Sequence, residues 1–99
     1  MTTTYTITIG LESPTLSEAE ARALALETAA RCFPSGHTIT EATGRWESDR
    51  GVIDEPSLVI TVIGEGVRAH VAEFCTAYKV GARQDAVLLQ ITNPETIWV

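Results

Sequence analysis

Basic residues are scarce in this 99-residue sequence: seven lysines and arginines stand against thirteen aspartates and glutamates, a formal charge of −6. Affinity for nucleic acid rests largely on neutralising phosphates, so this deficit argues against a phosphate-tracking surface. It also argues against docking on anionic lipid. Cysteine is nearly absent, and Cys32 and Cys75 are too few for a disulfide framework. Long hydrophobic runs are missing as well. The longest, Leu58 to Ile63, is interrupted by Thr61 and falls far short of the roughly 20 residues of a membrane span. Met1-Thr2-Thr3-Thr4 shows no basic stretch leading into an apolar one, so no signal peptide is expected. A cytoplasmic protein with no nucleic-acid or membrane partner follows as the expectation.

What is present belongs to an ordinary globular domain. Hydrophobic residues make up 44% of the chain, too many for disorder, and the length suits one core rather than two. A single domain over residues 1–99 is expected.

Tyr5 to Leu11 alternates apolar residues with threonine at period two, the pattern of a half-buried strand turning Tyr5, Ile7, Ile9 and Leu11 to a core. Ser13-Pro14 breaks it. Ser17 followed by Glu20 is a capping box, with Leu16 in the staple position. Ala19, Ala23, Leu26, Ala30 and Phe33 recur at helical spacing and are read as the inward stripe of a first helix. Glu18/Arg22 and Glu27/Arg31 fall on its exposed side as i,i+4 pairs. Pro34-Ser35-Gly36 ends it.

His37 to Ser48 reads as a second strand with Gly44 as a bulge or close-packing point. Glu47 to Pro56 reads as a polar connection. Leu58 to Ile63, apolar on both faces, marks a central strand. After the Gly64-Glu65-Gly66 turn, Val67, Val71, Phe74 and Tyr78 form a second helical stripe, with Gly81 expected at the left-handed C′ position. Val87 to Thr92 is the last strand, and Ile97-Trp98-Val99 has the composition of a short extra pairing segment. The order β-α-β-β-α-β is the ferredoxin-like pattern: an α+β two-layer sandwich, its four-stranded antiparallel sheet covered by both helices on one face, with the first and third strands central.

That topology leaves the other sheet face open, with Thr6, Thr8, Ile63 and Leu88 on it. So apolar a face calls for a cover, and a second copy is the simplest, the alternative being the Trp98 segment folded back. Arg45 and Trp46 are the expected recognition residues, because exposed arginine and tryptophan anchor interfaces. For a small-molecule pocket between sheet and helices the candidates are Tyr5, His70 and Tyr78, with Trp46. No metal site is expected, since Cys32/His37 and His70/Cys75 have poor ligand spacing. No catalytic set is assembled, and no motif asks for a cofactor: Gly64-Glu65-Gly66 lacks the rest of a dinucleotide fingerprint. A non-enzymatic acidic interaction domain, homodimeric through its sheet face and acting as an inhibitor or accessory protein, is the first expectation. A small-molecule binder or enzyme of the dimeric α+β-barrel type is the second.

Phe33-Pro34-Ser35-Gly36, Thr38, Gly44-Arg45-Trp46, Gly51 and Glu55-Pro56-Ser57, with Ala77-Tyr78-Lys79 and Gln84-Asp85-Ala86-Val87-Leu88, resemble a family of small bacterial proteins with no assigned function. Family members often carry an export leader, and an aromatic residue usually follows their Tyr-Lys pair, where this chain has Gly81-Ala82. The resemblance supports the fold and implies no activity.

Overall fold

A computed structural model of the protein describes residues 2–99. Its elements are β1 (Thr3–Gly10), α1 (Glu18–Cys32), β2 (Thr38–Ser48), β3 (Gly51–Gly64), α2 (Arg68–Ala82) and β4 (Leu88–Thr92). The antiparallel sheet has the order β2-β3-β1-β4, with the first and third strands central as the ferredoxin-like pattern requires. Tyr5, Ile7 and Ile9 stand opposite Val62, Ile60 and Leu58, and all six are buried beneath the helices.

α1 begins where the capping box dictates. Ser17 Oγ accepts from the Glu20 N–H at 3.1 Å, and Glu20 Oε1 accepts from the Ser17 N–H at 3.0 Å. These two bonds satisfy orphan donors of the first turn, and the Ser17 N–H, followed by the nearby Ser17 hydroxyl, holds the Glu20 carboxyl below its ordinary range. The inward stripe differs from expectation. Ala21, Ala25, Thr28, Ala29 and Cys32 are buried, whereas Ala19, Ala23, Leu26 and Ala30 face outward. Alanines lie on every side of this helix, so two faces are nearly equally apolar. Thr28 can be buried because its hydroxyl donates to the Leu24 carbonyl at 2.6 Å. Arg22 pairs with Glu18 at 3.3 Å as expected, and also bridges to Glu41 on β2.

α2 buries Val71, Phe74, Tyr78 and Ala82. Phe74 stacks on Tyr78, with centroids 6.3 Å apart and planes 7° from parallel, and meets Phe33 at 5.7 Å. Gly81 is not the helix terminator. Arg83 takes the left-handed position, with φ 53°. Gly81 remains helical, where a Cβ would stand 2.7 Å from Leu24 Cδ2. Its lack of a side chain lets the two helices approach, and that packing role outweighs its value as a cap.

The largest departure is between β2 and β3. The expected polar connection from Glu47 to Pro56 is strand. Only Asp49 and Arg50 form the turn, and the pairing runs from Thr38↔Thr61 to Ser48↔Gly51. Toward the turn, β3's pairing to β1 stops at Ser57. Beyond it, Thr43–Ser48 and Gly51–Pro56 form a two-stranded ribbon projecting about 20 Å at some 3.3 Å per residue. The ribbon accounts for the 45 × 25 × 21 Å extents. The segment after β4 forms no regular strand, and Trp98 is 81% exposed.

Candidate functional site: the open sheet face and its hollows

Strand alternation sends Tyr5, Ile7 and Ile9 to the helices, so Thr4, Thr6 and Thr8 face the other way. The register then writes out the open face in rungs: Ile63–Thr4–Thr92, Thr38–Thr61–Thr6–Gln90, Thr40–Val59–Thr8–Leu88 and Ala42–Ser57–Gly10. None of these residues is ionisable, in a chain with twenty charged residues. Ile63 and Leu88 are 44% and 52% exposed. Thr6 and Thr8 are half-buried beside them.

The ribbon continues the same division. Trp46 and Ile53 are paired on the side that extends the open face. Arg45 and Asp54 are paired on the opposite side, joined as a fork, Nε–Oδ1 at 2.8 Å and Nη2–Oδ2 at 3.2 Å. Arg45 and Trp46 therefore do not form one patch, because consecutive strand residues point to opposite faces.

A hollow of about 380 Å³ lies where sheet and ribbon meet, lined by Thr8, Gly10, Trp46, Glu55, Gln84 and Leu88 among others. Two glycines make it possible. A Cβ on Gly10 would stand 2.5 Å from Glu55 Oε1, and one on Gly44 would stand 3.2 Å from Cζ2 and Nε1 of Trp46. The Glu55 carboxylate therefore lies over bare β1 backbone, while the indole folds back over bare β2 backbone. The Glu12 N–H donates to Glu55 Oε2 at 3.2 Å. Gln84 Nε2 donates to the Gly10 and Glu12 carbonyls at 3.0 and 2.6 Å. The Tyr78 hydroxyl also donates to the Gly10 carbonyl. Ser13 Oγ donates to the Ala82 carbonyl at 2.7 Å and ties the same chain segment to the end of α2.

The sequence-predicted pocket residues are dispersed. Tyr5 and Tyr78 are core residues. Burial, and then the negative charge of Glu55, push the Tyr78 phenol up to about 12, so at neutral pH it is a hydrogen-bond donor. His70 is exposed and lines a different, 580 Å³ cavity at the far end of the molecule, beside Arg31, His37, Glu65 and Trp98. The sequence shows Glu55 and Gln84 only as members of two polar, charged stretches, Glu55 as a candidate acid–base partner of Asp49, and not as pocket residues. Glu55 opposite Gly44 is the available signal, hidden as long as Glu47 to Pro56 reads as a connection. Burial pushes both thiols up, Cys32 and Cys75 alike, which disfavours the nucleophilic thiolate. No group of three or more potential metal ligands occurs among the described residues. Among them, too, no helix is long and apolar enough to cross a membrane.

Several solved structures share the fold. A phage SAM lyase in complex with S-methyl-5′-thioadenosine superposes with a TM-score of 0.69 at 18% identity, over 92% of this chain and 80% of that one. CutA from Synechococcus elongatus gives 0.57 at 11% identity, over 94% and 76%. A DUF3240-family protein from Shewanella baltica gives 0.57 at 13% identity, over 98% and 94%. At these identities the likeness is one of fold. No curated protein matches the chain. The model of the family DUF3574, proteins of unknown function, matches residues 5–97, nearly the whole sequence, and the chain belongs to that family.

Proposed function

We propose that the protein is a self-associating, non-enzymatic interaction domain whose open sheet face receives a second copy of the same chain. The observation that carries this reading is the uncharged face. Two molecules of net charge −6 repel one another, and the face that brings the fewest like charges together is the one whose sheet rungs hold none. Four strands about 4.8 Å apart, with the ribbon added, offer on the order of 700 Å² in projection, near the ~800 Å² per partner of a standard interface. The ribbon adds a second argument: two strands without further cover are marginal in water, and docking its Trp46–Ile53 side on the neighbour would supply that cover. We place this assembly in the cytoplasm, where the two free thiols suit a reducing compartment.

Native mass spectrometry of the purified protein tests the reading. A closed oligomer is expected, reduced to single chains by Leu88→Lys. A parent protein that is already monomeric at micromolar concentration overturns it.

A second reading is that the covered face holds a small molecule. It is supported by the hollow at Trp46 and Glu55, and by the fold likeness to the phage lyase whose structure contains S-methyl-5′-thioadenosine. A co-purified mass on the native assembly is the expected sign.

A further inference from the structure

We propose that the hollow at the junction of sheet and ribbon binds a small organic cation carrying a flat ring, an inference that rests on the small-molecule reading. Its volume of about 380 Å³ falls within the ~300–1,000 Å³ range of small-molecule sites. The charge is supplied by Glu55. It is the one ionisable residue on the open side of the ribbon, at the border of rungs with no charge. Among the described residues no basic side chain pairs with it. The Glu12 N–H donates to one of its oxygens, and among the described residues no donor reaches the other. Arg45, one register position along the ribbon, is tied to Asp54 on the opposite side, and Arg50 lies in the turn at the ribbon's tip.

The ring platform is Trp46. Its indole is held over Gly44 and remains 46% exposed, so a face is available for stacking or for a cation. Thr8 and Leu88 supply the apolar and hydroxyl wall. The floor is rigid because Gly10, beneath the carboxylate, is fixed by two donors to its carbonyl, from Tyr78 and Gln84. A carboxylate and an indole at fixed separation over a floor without side chains select a ligand that is both planar and positive. An anionic ligand would face Glu55 in a chain that is already acidic.

The test uses the full chain, ¹⁵N-labelled, with the two indole N–H resonances assigned by Trp46→Phe and Trp98→Phe. Two probe pairs are titrated: 5′-amino-5′-deoxyadenosine against adenosine, and tryptamine against indole-3-propionate. At least one cation is expected to shift the Trp46 resonance and leave Trp98 unmoved, binding about tenfold or more tightly than its counterpart. Glu55→Gln keeps the shape and an acceptor for the Glu12 N–H, and should erase that preference. If both members of a pair shift Trp46 equally, the hollow is a ring site and the cation inference falls alone. If no probe moves Trp46, the small-molecule reading falls with it. The native mass of the Glu55→Gln protein, measured on the same samples, reports self-association separately.

Discussion

The two faces of one sheet are built from the same strands and obey different rules. On β1, Tyr5, Ile7 and Ile9 are buried by the helices, while Thr4, Thr6 and Thr8 between them look out. On β3 the contrast is weaker, so Leu58, Ile60 and Val62 fill the core while Val59, Thr61 and Ile63 stand on the open side. The helix-covered face is closed by close packing within one chain. The open face is uncharged yet uncovered, and its apolar side chains stabilise little until something removes them from water. Substitutions on the two faces should therefore differ in kind as well as in size.

The largest loss is expected on the covered face. Phe74 is fully buried between Phe33 and Tyr78, and Phe74→Ala should cost about 3–5 kcal/mol through lost transfer energy and the cavity left behind. Denaturant unfolding of the variant checks this. A loss below about 1 kcal/mol would show that the two-layer core is not where stability resides.

Much of the covered face is legible in the sequence, because alternation and capping are local signals. Tyr5 to Leu11 can be placed from period two alone, and the start of α1 from Ser17 and Glu20. The buried side of α1 is not legible, since Ala19, Ala21, Ala23 and Ala25 offer the same surface to either face. What decides between them is the neighbour, a helix brought close by Gly81 against Leu24. The ribbon hides for another reason. Its strands are rich in charge and glycine, which marks loops by composition, yet the charges pair across strands as Arg45 and Asp54 do. Glu55 and Gln84 meet only because the β3 register and the end of α2 converge on Gly10, and neither spacing nor composition encodes that convergence.

Tyr78 joins the two faces, and its effect should be intermediate. Its phenol lies in the core while its bond to the Gly10 carbonyl secures the floor of the open-face hollow. Because its folded pKa is raised to about 12 from an ordinary 10, the associated stability is fully present below pH 10 and is lost as pH rises through about 12. The shift corresponds to a loss on the order of 3 kcal/mol. Tyr78→Phe should cost about 1–2 kcal/mol at neutral pH, with Gln84 still serving the carbonyl. It should also flatten the alkaline limb of the stability profile relative to the parent. Parallel limbs in the two proteins would show that Tyr78 titrates freely and that the bond to Gly10 is not maintained in solution.

The smallest effect on the isolated fold is expected at Ile63, and there the comparison between faces is sharpest. Ile63 is 44% exposed on an edge rung beside Thr4, so Ile63→Lys should change single-chain stability by no more than about 0.5 kcal/mol. Self-association changes what is measured. When the folded chain binds a copy of itself and the unfolded chain does not, the unfolding midpoint rises with protein concentration. The parent protein should show that rise across a hundredfold dilution series. Ile63→Lys should not, because each lysine ammonium would be buried against sheet rungs that hold no acid to receive it. At high dilution, where both are single chains, their midpoints should converge. Convergence at low concentration with divergence at high concentration assigns the role of Ile63 to the interface. A constant difference at every concentration would place Ile63 with the core residues and leave the open face without a partner copy.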